Sequence, residues 1–137
     1  MRCKTDESGI AVTILKKRAE FLAVQHHGVK QVSHNAVLQA VSRKNDRQGI
    51  EVKQAIGVGF TASRKVGNAV ERNRAKRRLR AWVRLNLHKK GIAGVDYVFI
   101  ARQNILSESW SNLENNLERA MSGVNRKIER KHKAHLS

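Results

Sequence analysis

Few of the residues that carry covalent or metal chemistry are present in this sequence. A single cysteine, Cys3, excludes an internal disulfide and suits a reducing, cytoplasmic setting. No apolar run approaches the roughly 18 to 20 residues a membrane-spanning helix needs. The opening Met1-Arg2-Cys3-Lys4-Thr5-Asp6-Glu7 lacks the apolar core of a signal peptide. Acidic residues number 11 against 28 Lys and Arg, and no two are spaced to pair their carboxylates in one pocket. Glu114 and Glu118 share a helix face, which is the ordinary solvated arrangement. No phosphate-cradling glycine loop precedes a Lys-Ser/Thr pair. His26 and His27 point in different directions, and the metal-like spacing of His132 and His135 falls in a stretch expected to hold no geometry. Cys3, without a structured partner, reads as inert rather than nucleophilic. The expectation is no catalytic residue, no metal ligand and no cofactor tightly bound to the protein.

What is abundant is positive charge. A formal charge of +17 on 137 residues draws the chain toward nucleic acid or anionic surfaces and says nothing about fold. The charge is concentrated between Arg64 and Arg84, where nine of 21 residues are Lys or Arg and only Glu71 is acidic. Asn68, followed three residues later by Glu71, reads as an N-cap with its capping-box partner and predicts a helix from Ala69 to about Lys89. At roughly 100° per residue, Asn73, Arg77, Arg80 and Arg84 fall on one stripe, with Lys76 at its border. Ala75, Leu79 and Trp82 fall nearly opposite and are suited to burial against a sheet. Ordinary surface helices intersperse their charges in i, i+4 pairs, whereas these cations repel one another unless phosphates offset them. Guanidinium groups bridge phosphate oxygens and stack on bases, which makes nucleic acid the leading partner.

Taken in order, residues 1–13 show no periodicity and read as a flexible N-terminal arm. A first helix is expected over 14–27, with Leu15, Ala19, Leu22 and Ala23 at helical spacing and Gly28 as its stop. Lys16, Lys17 and Arg18 crowd the positive end of its dipole, which suits either a ligand-facing cluster or a solvated face. Phe21 is core or an exposed aromatic, and helical spacing favours core. Residues 29–34 read as a loop, Asn35–Ser42 as a strand, and 43–49 as a turn. A second strand lies within Ile50–Ser63, clearest over 55–62; Gly57 and Gly59 on one face admit a close neighbour there, a packed helix in preference to an RNA backbone. Val95–Ala101 is a third strand, so strand, basic helix and strand form a βαβ unit with parallel strands. A last helix is expected over 107–122, capped by Ser107, with Leu106, Trp110, Leu113, Leu117 and Met121 as its seam and Gly123 near its end. Residues 124–137 read as a basic, disordered tail. The sum is one α+β domain over 14–123, a mixed sheet with about three packed helices.

Lys65-Val66-Gly67-Asn68-Ala69-Val70-Glu71-Arg72-Asn73-Arg74-Ala75-Lys76-Arg77-Arg78-Leu79-Arg80 closely resembles the signature of the bacterial ribonuclease P protein component, with Arg72-Asn73-Arg74 at its centre. Leu15–Phe21 is similar to that family's first helix, Gly59–Lys65 to the strand entering the motif, and Asp96–Arg102 to the strand after it. The resemblance covers about residues 14–122. It implies an α/β sandwich with a left-handed crossover through the motif helix, against the general right-handed rule. It also implies a subunit of an endoribonuclease in which a large RNA, with Mg²⁺ held mainly by RNA, removes the 5′ leader of precursor tRNA.

By the same resemblance, Lys65, Arg72, Asn73, Arg74, Lys76, Arg77 and Arg80 meet the catalytic RNA, and the basic stretch itself adds Arg64, Asn68 and Arg84 to the expected RNA-binding set. Lys17, Arg18, Phe21, Gln25, Gln39 and Phe60 line a cleft for the single-stranded leader. Gln25 and Gln39 stand where aromatic residues are expected, which shifts leader binding from stacking toward hydrogen bonding and charge. The implied partners are ribonuclease P RNA and precursor tRNA, with no membrane and no obligate protein partner. The competing expectations are a structural RNA-binding protein, such as a ribosomal protein, and a DNA-binding module. A strand rather than a helix precedes the basic helix, which disfavours a helix-turn-helix.

Overall fold

The computed structural model describes residues 4–5, 11–43 and 55–136. Cys3, Ser137, and most of the expected turn and strand start over 44–54 lie outside the described residues. Among the described residues six strands, β1 (Lys4–Thr5), β2 (Ala11–Ile14), β3 (Val29–Val32), β4 (Ala36–Ser42), β5 (Ile56–Ala62) and β6 (Val95–Ala101), form one mixed sheet in the order β1-β2-β5-β6-β4-β3. β2, β5 and β6 run parallel, while β4 pairs antiparallel with both β6 and β3. Among the described residues, three helices pack on the sheet: α1 (Arg18–His27), α2 (Ala69–Lys90) and α3 (Trp110–Leu136). α2 links the adjacent parallel strands β5 and β6, so the expected βαβ unit is present.

Strand alternation divides the sheet into two faces. Ala36, Leu38, Ala40, Ile56, Val58, Val95, Tyr97 and Phe99 pack with Ala75, Leu79 and Trp82 of α2 and Leu113, Leu117 and Met121 of α3. On the other face a smaller cluster of Leu15, Val24 and Val98 packs with Phe21, Val41 and Ile100 beneath α1. The two glycines on this second face act structurally. A Cβ on Gly59 would strike the Phe21 ring, and one on Gly57 would overlap the Asp96 carboxylate and come 2.8 Å from Leu15 Cδ2. The bare backbone at Gly57 thus leaves room for Asp96, 3% exposed, to pair with the buried guanidinium of Arg43. Arg43 also donates to the Ala55 carbonyl oxygen, which ties β4's exit to β5's entry.

Several boundaries differ from expectation, each for a local reason. Ala11–Thr13 are not part of a flexible arm: β2 lies beside β5, and β1 folds back on β2. Leu15 N–H continues this ladder to the Val58 carbonyl at 2.8 Å, so α1 starts at Arg18 rather than at residue 14. Residues 29–32 are an edge strand, not a loop; their exposed Lys30 and Val32 leave too weak an apolar alternation to read. Ser107 does not cap α3. It follows a 3₁₀ turn over Gln103–Leu106, and Ser109 instead accepts Asn112 N–H on Oγ (3.2 Å) and Leu113 N–H on its carbonyl oxygen (2.9 Å).

The expected tail is likewise replaced by helix, since α3 runs through Gly123 to Leu136. Val124 and Ile128 prolong its buried seam, and Lys127 and Lys131 donate to the carbonyls of Lys30 and His27 at 2.6 and 2.7 Å. Tyr97 fastens the same helix to the end of α2: its hydroxyl donates to Asn125 Oδ1 (2.6 Å) and accepts Ile92 N–H (2.9 Å), while Asn125 donates to the Lys90 carbonyl (2.7 Å). Burial pushes the Tyr97 phenol well above its usual pKa, so it remains a donor.

The glycines give a paired test of packing. Gly57→Ala should lower stability by about 1–3 kcal/mol, because Asp96 and Leu15 must shift. Gly123→Ala meets only the flexible end of Gln31 and gains helix propensity, so its change should stay within about 1 kcal/mol. Urea unfolding midpoints measure both, and equal losses would contradict the packing described.

Candidate nucleic-acid interface

The basic helix is set by its two ends. Asn68 Oδ1 accepts Glu71 N–H and Glu71 Oε1 accepts Asn68 N–H, both at 2.9 Å, so the capping box closes as the sequence predicts. At the far end Gly91 N–H bonds the Leu87 carbonyl at 2.7 Å. Ahead of the cap, a 3₁₀ turn over Arg64–Val66 plants Val66 in the core and leaves Arg64 and Lys65 exposed. Gly67 joins turn to helix at φ 146°, a conformation side chains disfavour, so this residue aims the turn's cations relative to α2.

With Ala75, Leu79 and Trp82 buried, Asn73, Arg77, Arg80 and Arg84 are all exposed on the outer side. Arg74 and Asn68 are exposed beside them, and Lys76 and Arg72 are half-buried at the margins. Arg78 is different: its guanidinium donates to the Ile105 carbonyl and clips α2 to the turn before α3.

The second group of expected site residues divides. Phe21 lies half-buried on α1 against Gly59, and Gln39 projects from β4 to the same face, since its neighbours Leu38 and Ala40 are buried on the other. Lys17, Arg18 and Gln25 are exposed on α1 and its entry. Phe60 does not join them. It faces the α2 side, 5.9 Å from the Phe99 ring by centroids, with the Arg80 guanidinium 5.4 Å above it. Gly59 and Phe60 are consecutive strand residues and must point oppositely, so Phe60 supports the basic helix instead.

Sequence reasoning missed a polar cluster at the start of α3. Asn35, fully buried, donates to Asn104 Oδ1 (3.2 Å) and Glu108 Oε1 (3.1 Å) and accepts from Asn116 Nδ2 (2.7 Å). Asn112 Nδ2 also donates to Glu108, at 3.2 Å. The cluster was not legible because Asn35, at its centre, lies 69 to 81 residues from the partners that bury it. Among the described residues, no three His, Cys, Asp or Glu side chains gather where a metal ion could sit, and no helix is long and apolar enough to cross a membrane.

A ribonuclease P family model matches residues 12–125, most of the chain and all of α2. The chain belongs to the ribonuclease P protein family. The ribonuclease P protein component of Gluconacetobacter diazotrophicus is 41% identical over 107 residues, covering 78% of this chain and 86% of that one. That of Ruegeria pomeroyi is 43% identical over 111 residues, covering 80% and 84%. The solved structure of the Staphylococcus aureus RNase P protein superposes with a TM-score of 0.64 at 28% identity, over 80% of this chain and 92% of that one. The Thermotoga maritima RNase P protein, 22% identical, shares the fold with the same score over 78% and 93%. The chain is therefore a ribonuclease P subunit, an endoribonuclease component whose partner is ribonuclease P RNA. Residues 126–136 of α3 lie beyond the matched segment.

Hydrogen bonds from Asn35 and then Asn112 hold the Glu108 carboxyl below the usual carboxylate range, with smaller help from Ser109 N–H and His34 and some opposition from desolvation. A depressed folded-state pKa contributes stability above the unfolded-chain pKa of about 4.3 and loses it as pH falls through the folded value. Glu108→Gln should therefore flatten the loss of thermal stability between about pH 5 and pH 3 relative to the unsubstituted protein. Parallel acid slopes for the two proteins would remove Glu108 from that role.

Proposed function

We propose that this ribonuclease P protein presents the outer face of α2 to the catalytic RNA and the α1 side of the sheet to the 5′ leader of precursor tRNA. One observation carries the first half: Asn73, Arg77, Arg80 and Arg84 are exposed together on a helix whose opposite side is locked in the core. Rigid placement matters because cations held in register lose little side-chain freedom when phosphates arrive. Arg64 and Lys65, aimed by the turn before the cap, extend the same field, with Arg72, Arg74 and Lys76 at its edges.

The leader reading rests on Phe21 and Gln39 sharing one sheet face with Lys17, Arg18 and Gln25 on the α1 element that covers it. Phe21 is the single aromatic of that group, so stacking is limited to about one base and charge and amide hydrogen bonds supply the rest. Mg²⁺ in the holoenzyme is held mainly by RNA; the protein's own contribution is fixed positive charge that offsets repulsion between two RNAs. The setting is cytoplasmic, where precursor tRNA is matured.

Two experiments test this. Processing of a precursor tRNA by ribonuclease P RNA at low Mg²⁺ should require the protein, and the protein alone should cleave nothing. RNA binding that leaves low-Mg²⁺ cleavage unchanged would reduce the protein to a structural RNA binder. Arg77→Ala should weaken affinity for ribonuclease P RNA and lower the salt slope by about one counterion. An unaltered slope would exclude this stripe as the phosphate-facing surface.

A further inference from the structure

The exposed stripe leaves one concavity unexplained. Arg74, Arg77, Arg78 and Ala81 of α2 form one wall of a groove, and Leu106, Glu108 and Trp110 form the other, around about 450 Å³. That volume falls in the range of roughly 300–1,000 Å³ typical of small-ligand sites. The walls carry three separate chemistries. Arg74 and Arg77 are exposed cations, whereas Arg78 is committed to the Ile105 carbonyl and serves as wall. Trp110, half-buried beside Leu106, offers an indole at the rim. Glu108 offers carboxylate oxygens fixed by Asn35 at 3.1 Å and Asn112 at 3.2 Å.

The carboxylate identifies the occupant. On a surface of such positive charge, an acid beside the phosphate-binding arginines weakens attraction for a bare backbone. A carboxylate only accepts hydrogen bonds, and each oxygen has more than one lone pair, so Glu108 retains acceptor capacity beside its contacts with Asn35, Asn112, the Ser109 N–H and the His34 ring 3.8 Å from Oε1. Among unpaired bases, guanine presents two N–H donors side by side on its pairing edge, N1–H and N2–H₂. Adenine and cytosine present one amino group beside an acceptor nitrogen, and uracil presents one N–H between two carbonyls. Guanine is therefore the base that matches a two-oxygen acceptor, and an indole at the rim supplies the stacking surface that unpaired bases seek.

We propose that this groove binds one unpaired guanine nucleotide of an RNA, its base stacked on Trp110, its N1–H and N2–H₂ edge on Glu108, and its phosphate between Arg74 and Arg77. The inference rests on the assignment of α2 as an RNA-binding surface and adds to it a base-specific subsite on the helix flank.

The protein carries its own reporter. Of its two tryptophans, Trp82 is buried at 1% exposure, so quenching by added RNA reports on Trp110. The full chain is titrated with the pentaribonucleotides r(AAGAA), r(AACAA), r(AAUAA) and r(AAAAA), following emission and the anisotropy of labelled strands. The guanine strand should quench the emission and bind about tenfold more tightly than the others, the discrimination one bidentate contact supplies. Glu108→Gln should bring the four affinities close to parity. Trp110→Ala should weaken the guanine strand at least about fivefold, while Trp110→Phe, which keeps an aromatic ring and the packing, should retain the preference. Pentamer binding without quenching or without base preference overturns the guanine site alone. So does binding of ribonuclease P RNA with no pentamer bound. Failure to bind ribonuclease P RNA as well would overturn the RNA-binding assignment beneath it.

Discussion

The exposed cations of α2 itself are positioned by the seat of Trp82 against the sheet. Its ring lies 6.0 Å from Phe99 by centroids, with Ala75 and Leu79 a turn or two earlier filling the same seam at 0% exposure. Burying an aromatic of this size removes on the order of 150–250 Å² from water, enough to fix the rotation of a helix about its own axis. Once that rotation is fixed, 3.6-residue periodicity sends Asn73, Arg77, Arg80 and Arg84 outward together. The mutual repulsion of these cations is tolerated because apolar contacts hold the other side.

The two ends of α2 extend this control. At the entry, the Asn68–Glu71 box consumes the stretch's only carboxylate in backbone hydrogen bonds, so it satisfies helix N–H groups rather than neutralising an arginine. At the exit, Tyr97 and Asn125 bind the helix end to α3, and Arg78 clips its middle to the turn after β6. Arg80 above Phe60 adds an aromatic support on the β5 side. The basic face is thus a surface held at several points.

The second face of the sheet depends on absent side chains. Gly57 and Gly59 let Asp96 lie flat enough to meet Arg43 and let Phe21 settle onto β5. α1 therefore rests close to the sheet with its polar residues at the rim, and the surface we propose for the leader is defined by Phe21 and Gln39 rather than by a row of aromatics. α3, extended past the family-matched segment, secures the neighbouring corner through Lys127 and Lys131.

Local patterns were legible in the chain: the capping box, the basic stripe with its apolar opposite, the largely apolar run of Val95–Ala101, and the family motif centred on Arg72-Asn73-Arg74. Each depends on residues within a few turns of one another, so spacing suffices to read it. Tertiary structure decided what depends on distant partners. Phe60 went to the α2 face because β5 pairs with β6 in a register that sets it opposite Phe99. The edge strand at 29–32 and the strand at 11–14 form only because β4 and β5 offer them unpaired backbone. The basic C-terminal stretch became helix because Val124 and Ile128 find the sheet and two lysines find carbonyls about 100 residues earlier, and Asn35 was buried because three polar side chains from a remote segment satisfy it. The sequence by itself determined which helix carries the charge, and long-range packing decided which side chains stand beside it.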